Sequence, residues 1–279
     1  MNVIRAKTAG FCMGVSLALQ KLDSILHQKN RICTLGPIIH NPQVLAAYEK
    51  QGVFCVLRPA ELKKDDHVVI RAHGIPRQEE AQTRASGAVV VDATCPRVKK
   101  AQTAIARATR RGAILLLFGE AEHPEVQGLI SYAHGQAFVF SSQAELEKFR
   151  LAENHPYVLA SQTTQDRETF LRLERTLRER FPNLAVLSTI CDATRSRQEE
   201  ARDIAAMVDV MVVVGGRQSG NTRRLADMAA LSGIETILVE SVDELDRKNF
   251  LKKTRAGLTA GASTPKSLID AAERWLASL

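Results

Sequence analysis

Val89-Val90-Val91-Asp92-Ala93-Thr94-Cys95-Pro96-Arg97-Val98 decides the fold. Three β-branched residues in a row read as a short strand. A helix follows, with apolar positions at Val98, Ala101, Ile105 and Ala108 at helical spacing, and Pro96 suits its first turn. Cys95 falls on the joint. The same arrangement occurs twice more. Val3–Lys7 leads through Gly10-Phe11-Cys12 into Val15, Ala18, Leu19, Leu22, Ile25 and Leu26, and Ala185–Ile190 leads through Cys191 into Ala201, Ile204, Ala205 and Val208. Each cysteine is followed 28 positions later by a polar residue: His40, His123 and Ser219.

Working outward, short apolar runs alternate with helical patterns from end to end, which predicts an α/β protein with parallel sheets. The strand candidates form three sets of four. The first is Val3–Lys7, Ile32–Leu35, Val53–Val56 and Val68–Arg71. The second is Val89–Asp92, Ile114–Phe118, Ala137–Phe140 and Tyr157–Ala160. The third is Ala185–Ile190, Val210–Val214, Thr236–Val239 and Gly257–Ala260. We therefore expect three α/β repeats related by a pseudo-three-fold axis, each with a mainly parallel four-stranded sheet, an arrangement that would bring the three cysteines together as a cradle for a metal cluster. The expected segments are 1–86, 87–182 and 183–279, with joints near Ser86-Gly87 and Phe181-Pro182-Asn183. Ligands of open parallel sheets bind beyond the carboxyl ends of the strands, where every residue singled out below would lie.

The chain has 279 residues, 45% of them hydrophobic and 25% charged, a globular composition with no run long enough to span a membrane. The start lacks the features of a signal peptide, so a cytoplasmic protein is expected. Five cysteines without a secretion signal do not suggest a disulfide framework. Cys33 and Cys55 lie in strand-like runs and read as small buried hydrophobes. The formal charge is +7, but the Lys and Arg residues read as scattered among acids without interleaved aromatics. Nucleic-acid binding is not expected on that pattern.

Each of Cys12, Cys95 and Cys191 would sit near a helix N-terminus, where unpaired N–H groups and the helix dipole stabilise a thiolate. Thiolates suit zinc or iron–sulfur clusters, and the wide spacing matches neither zinc ribbons nor bacterial ferredoxins. A four-iron cluster held by three thiolates would leave one iron open, which suits reductive removal of an oxygen group. An ordinary buried thiol remains the reading of any one of them alone. The loops after the second and fourth strands add three histidines (His40, His73, His123), hydroxyls and an amide, a set able to surround a phosphate. Glu125 is a candidate proton donor and Thr163 a relay. Alone, Glu125 is also an ordinary helix-start carboxylate.

At these residues the chain resembles the 4-hydroxy-3-methylbut-2-enyl diphosphate reductases, the IspH or LytB family. The matching segments, in order, are Gly10-Phe11-Cys12-Met13-Gly14-Val15, Pro37 to Pro42 with His40-Asn41, Arg71-Ala72-His73-Gly74 and Asp92-Ala93-Thr94-Cys95-Pro96. They continue with His123-Pro124-Glu125-Val126, Ser161-Gln162-Thr163-Thr164, Ile190-Cys191, Ser219 to Asn221 and Thr259-Ala260-Gly261-Ala262-Ser263. The resemblance implies three α/β domains around a 4Fe–4S cluster held by Cys12, Cys95 and Cys191. It implies reductive dehydroxylation of an allylic diphosphate to isopentenyl and dimethylallyl diphosphates, the last step of the methylerythritol phosphate route. His40, His73, His123, Ser219, Gly220, Asn221 and Ser263 would bind the diphosphate, while Thr163 and Glu125, with His123, would orient the hydroxyl and deliver protons. Ferredoxin or flavodoxin would donate electrons to a monomer, with no nucleic acid or membrane involved. Gly220 departs from the serine or alanine of many members, so a side-chain contact is lost there. Quinolinate synthase also resembles three repeats around a three-cysteine cluster, but His40-Asn41 and His123-Pro124-Glu125 argue against it. An iron–sulfur sensor and a structural zinc protein are the other readings.

Overall fold

The computed structural model describes residues 1–279. Its twelve strands form three sheets of four, every pairing parallel. One sheet has the order β3 (Val53–Val56), β2 (Ile32–Leu35), β4 (His67–Ile70), β5 (Val89–Asp92). Another has β7 (Ala137–Phe140), β6 (Ile114–Phe118), β8 (Tyr157–Ser161), β9 (Ala185–Val186). The remaining one has β1 (Asn2–Arg5), β12 (Arg255–Ala260), β10 (Val210–Val214), β11 (Glu235–Val239). Helices intervene: α1 (Met13–Asp23), α2 (Pro42–Glu49), α3 (Arg77–Ala85), α4 (Pro96–Thr109), α5 (Pro124–Ile130), α6 (Gln143–Leu146), α7 (Arg167–Arg180), α8 (Asp192–Ala205), α9 (Gly220–Leu231) and α10 (Lys266–Ala277). No helix is long and apolar enough to cross a membrane.

The sheets are offset by one strand from the sets read in the sequence. The leading strand of each set closes a different sheet: β5 pairs with β4, β9 with β8 and β1 with β12. For β5 and β9 the physical reason is the short β–α–β crossover, whereas β1, which has no strand before it, pairs with the last strand of the chain. A strand that follows its predecessor through one helix returns beside it in parallel, as β5 does after α3. The sheets therefore do not divide at Ser86-Gly87 or Phe181-Pro182-Asn183. The chain forms two compact units, Met1–Ser16 with Ile39–Tyr48 and Asp192–Leu279, and Leu17–Ile38 with Glu49–Cys191.

Continuous apolar strands reflect sheets covered on both faces. Along β10, Val210, Val212 and Val214 enter the core beneath α10 with Ile269 and Leu276, while Met211 and Val213 enter the core beneath α8 and α9 with Ile204 and Leu225. Along β6, Ile114, Leu116 and Phe118 pack with Phe170 and Leu173 of α7, and Leu115 and Leu117 pack with Ile105 of α4 and Leu129 of α5. Truncating a fully buried leucine such as Leu116 to alanine costs about 2–5 kcal/mol in such a core. Cys33 is buried, and burial pushes its thiol up to about 11. Cys55, expected to be buried, is exposed. It lies on the edge strand β3, where Phe54 and Cys55 are both left outside.

Candidate active-site residues

The strand offset places each cysteine. Because β5 lies beside β4, the backbone after β5 runs along the loop that leaves β4, and the Cys95 N–H donates to the Ala72 carbonyl at 2.9 Å. By the same logic Cys191, after β9, donates to the Thr163 carbonyl beyond β8 at 2.9 Å, and Cys12, after β1, donates to the Ala262 carbonyl beyond β12 at 3.1 Å. None of the three is in a disulfide, and each is partly exposed and at a helix start. A thiol in this position faces unpaired N–H groups.

In the unit containing Leu17–Ile38 and Glu49–Cys191, Cys95 caps α4 with φ −55° and ψ 133°, and Pro96 occupies the first helical position. Its entry loop is clamped by Asp92, which accepts from Thr94 N at 2.9 Å and pairs with Lys99 at 3.0 Å. Burial raises the Asp92 pKa, but the Thr94 hydrogen bonds and Lys99 outweigh it and hold the carboxyl below the usual range. Gly74, at φ +72°, lets the loop after β4 approach: a Cβ there would lie 2.9 Å from Gln102 Nε2 and 3.2 Å from Thr94 Cγ2.

The same unit holds the ionisable cluster. His123 caps α5, and its Nδ1 accepts the Glu125 N–H at 3.1 Å. An accepting Nδ1 bears no proton, so the neutral ring carries its proton on Nε2 as a donor. The His73 ring stands edge-on to His123, with centroids 5.5 Å apart at 83°. Glu125 is 2% exposed and is held by Thr163 twice, through N at 2.6 Å and Oγ1 at 3.0 Å. Thr163 thus binds the carboxylate with its N–H and hydroxyl and the Cys191 N–H with its carbonyl. A change at the cysteine loop and a change at the carboxylate meet in one residue.

In the unit containing Met1–Ser16, Ile39–Tyr48 and Asp192–Leu279, Cys12 Sγ accepts the Val15 N–H at 3.4 Å. The preceding Gly10 has φ +107°, and its carbonyl accepts from the buried Arg197 at 2.6 Å. Gly216 lies close against the His40 backbone, since a Cβ there would be 2.9 Å from the His40 carbonyl oxygen. Asn41 caps α2 by accepting from Val44 N at 3.0 Å. Ser219 caps α9 by accepting from Thr222 N, and Gly220 and Asn221 begin that helix. Ser263 is buried in the loop after β12, whose Thr264 hydroxyl donates to the Val214 carbonyl at 3.0 Å. Asn41 Nδ2 and Asn221 Nδ2 are buried donors with no protein acceptor.

Sequence reading missed Arg197. One of three arginines in an amphipathic helix reads as solvent-facing, and its acceptor, Gly10, is 187 residues away. In each unit the structure brings together part of the expected set: Glu125, Thr163 and the Cys191 loop, and His73 with His123, in one; Cys12 with the loop that ends in Ser263 in the other.

The family model "LytB protein" matches residues 3–277. The 4-hydroxy-3-methylbut-2-enyl diphosphate reductase of Desulfovibrio desulfuricans is 68% identical over 286 residues, covering the whole of both chains. That of Nitratidesulfovibrio vulgaris strain Miyazaki F is 59% identical, again over the whole of both. A solved E-1-hydroxy-2-methyl-but-2-enyl-4-diphosphate reductase from Plasmodium falciparum shares the fold, with TM-score 0.93 at 24% identity over 100% of this chain and 87% of that one. A second solved structure, titled (E)-4-hydroxy-3-methyl-but-2-enyl diphosphate reductase, the terminal enzyme of the non-mevalonate pathway, gives TM-score 0.72 at 36% identity, covering 100% and 99%.

Proposed function

The chain belongs to the LytB protein family, and from that premise we propose that it is a 4-hydroxy-3-methylbut-2-enyl diphosphate reductase acting in isoprenoid synthesis. The allylic alcohol diphosphate takes up two electrons and two protons, its hydroxyl leaves as water, and isopentenyl or dimethylallyl diphosphate is formed. The observation that carries the reading is Thr163, which holds the buried Glu125 carboxylate and the Cys191 backbone at once.

The thiols of Cys12, Cys95 and Cys191 fit an iron–sulfur cluster. They are outside any disulfide, partly exposed and set at helix starts, and the Cys12 sulfur already accepts an N–H. These three residues would hold a 4Fe–4S cluster, which supplies an electron reservoir and one iron without a protein ligand. Ferredoxin or flavodoxin is the proposed donor, and the enzyme is read as a cytoplasmic monomer. The segments 1–86, 87–182 and 183–279 are read as repeats of one strand–cysteine–helix plan.

The remaining chemistry belongs to the chain's own residues. Glu125, when protonated, passes its proton to Thr163 Oγ1, and the threonine hydroxyl gives its own proton to the departing oxygen. The transfer would run along the Thr163–Glu125 hydrogen bond already present at 3.0 Å. His123 offers the Nε2 proton left by its Nδ1 bond. His40, His73, Ser219, Asn221 and Ser263 hold the diphosphate, helped by the N–H groups of α9 at Gly220. Asn221 supports this role with a buried amide donor that lacks a protein acceptor.

Anaerobic turnover of the allylic diphosphate with reduced methyl viologen on cluster-loaded protein tests the assignment. Both five-carbon diphosphates are expected. No product from protein with a spectroscopically intact cluster would sink it.

A further inference from the structure

Between Asp92 and Glu120 the chain has no acidic residue and six basic ones: Arg97, Lys99, Lys100, Arg107, Arg110 and Arg111. The whole chain carries a formal charge of +7, and a second acid-free stretch, between Asp246 and Asp270, also holds six basic residues, but there Lys253, Arg255 and Lys266 pair with Glu235, Asp209 and Asp270. The basic residues, expected to be scattered among acids, are thus clustered in part. The stretch is α4 and its C-terminal turn, with Cys95 as its N-cap.

Lys100, Thr103, Arg107, Arg110 and Arg111 are exposed along α4 and line a shallow groove of about 900 Å³, with Leu187 on its other side. Lys99 is committed to Asp92 and Glu80. Lys100, Arg107, Arg110 and Arg111 make no ion pair or side-chain hydrogen bond. Elsewhere basic helices are balanced. On α7, five arginines alternate with three glutamates and Arg178 pairs with Glu174 at 2.9 Å.

Helix stability does not account for the pattern. Cations at a helix N-terminus oppose the dipole, yet α4 carries Arg97, Lys99 and Lys100 there and has no acid in its first turn. Arg107 and Arg111 are like charges four apart, which also weakens a helix. The dipole favours only the cations at the C-terminal end. A small anion is a poor occupant, because the cations spread over roughly 16 Å of helix and converge on no single point. The groove offers no aromatic side chain for stacking bases.

Resting on the reductase reading above, we propose that the Lys100–Arg107–Arg111 face of α4 is the docking surface for a small acidic one-electron carrier protein. Uncompensated positive charge steers an acidic partner and sets its orientation. The same helix starts at Cys95, so docking here brings the carrier to a cluster-ligand helix. Each docked carrier is oxidised by one electron. Two such events, with two protons, match the release of one hydroxyl as water.

The test titrates cluster-loaded enzyme with an acidic flavodoxin in its oxidised form, at low and high salt. It compares the native chain with K100E/R107E/R111E and with R172E/R175E on α7. The α4 variant is expected to bind at least about tenfold more weakly at low salt, in line with the effect of charge steering, and to lose most of its salt dependence. The α7 variant binds like the native chain. Turnover supplies a second readout: kcat/KM with reduced flavodoxin, divided by kcat/KM with reduced methyl viologen, falls at least about tenfold only in the α4 variant. A loss common to both donors leaves this ratio unchanged and overturns the proposal. So does unchanged flavodoxin binding, an equal effect at α7, or tighter binding of a DNA duplex than of flavodoxin at equal salt. Should the triple reversal fail to take up the cluster, K100Q/R107Q is read by the same two criteria. Native enzyme that turns over with viologen while the α4 variant keeps its flavodoxin affinity sinks the docking surface alone. Native enzyme with an intact cluster and no viologen turnover sinks the reductase reading instead.

Discussion

At Cys95 and at Cys12 the backbone follows one plan. Each cysteine leaves an edge strand, donates its N–H to the loop beyond the neighbouring strand, at 2.9 Å to Ala72 and 3.1 Å to Ala262, and starts a helix. The surroundings differ. The unit with Cys95 also holds the titratable groups His73, His123 and the buried Glu125. Besides its cysteine, the unit with Cys12 holds Ser219, Asn221 and Ser263, neutral groups, and the single histidine His40. Repetition of the backbone sets where a ligand-type residue stands, and divergence of the side chains sets what it does. A group that supplies a proton changes its charge, whereas a relaying hydroxyl does not. A group that only holds an anion does better with fixed donors, which cost no reorganisation.

The largest effects should be the same on both sides of that comparison. Cys95→Ser and Cys12→Ser are each expected to lower bound iron and sulfide, erase the visible absorption of the cluster and reduce turnover to background. Iron and sulfide analysis of anaerobically reconstituted protein measures this. A Cys12→Ser variant with full cluster content would break the equivalence of the two loops. The next effect should be confined to one side. Glu125→Gln preserves shape but cannot supply a proton, so kcat should fall about 10²–10⁴-fold while cluster content and substrate affinity hold. Wild-type kcat in that variant would remove Glu125 from proton delivery.

Much of this was legible in the sequence. The unbroken apolar runs of β6 and β10 announce strands buried on both faces, and Pro96 marks the start of α4. The offset of β5 and β9 was not, because rhyming cysteine contexts group a strand with the helix after it, whereas their pairing is decided by the crossover before them, and β1 pairs with β12 from the far end of the chain. Exposure of Cys55 comes from the edge position of β3, which period-two alternation alone does not reveal. The hydrogen bonds from Thr163 to Glu125 span 38 residues, and that from Arg197 to Gly10 spans 187. Contacts of that range leave no local pattern. The acid-free stretch from Ala93 to Gly119 was visible, but counting charge over the whole chain dilutes it.

The smallest effect sharpens the neutral side. Asn221 Nδ2 is a buried donor with no protein acceptor, so the free protein already bears its desolvation cost. Removing it by Asn221→Ala relieves that cost while giving up little packing at the start of α9, so the melting temperature should hold or rise. Substrate affinity should move the other way. A hydrogen bond to a charged group contributes about 1.5–3 kcal/mol, so KM should rise roughly 10- to 150-fold with kcat nearly unchanged. That split separates a holding group from a proton-moving one, since Glu125→Gln is expected to do the reverse. If Asn221→Ala instead lowers kcat at constant KM, the amide acts in the transition state alone. If it lowers the melting temperature by several degrees, the amide has an acceptor in the free protein, and the division between fixed donors on one side and proton carriers on the other fails at this residue.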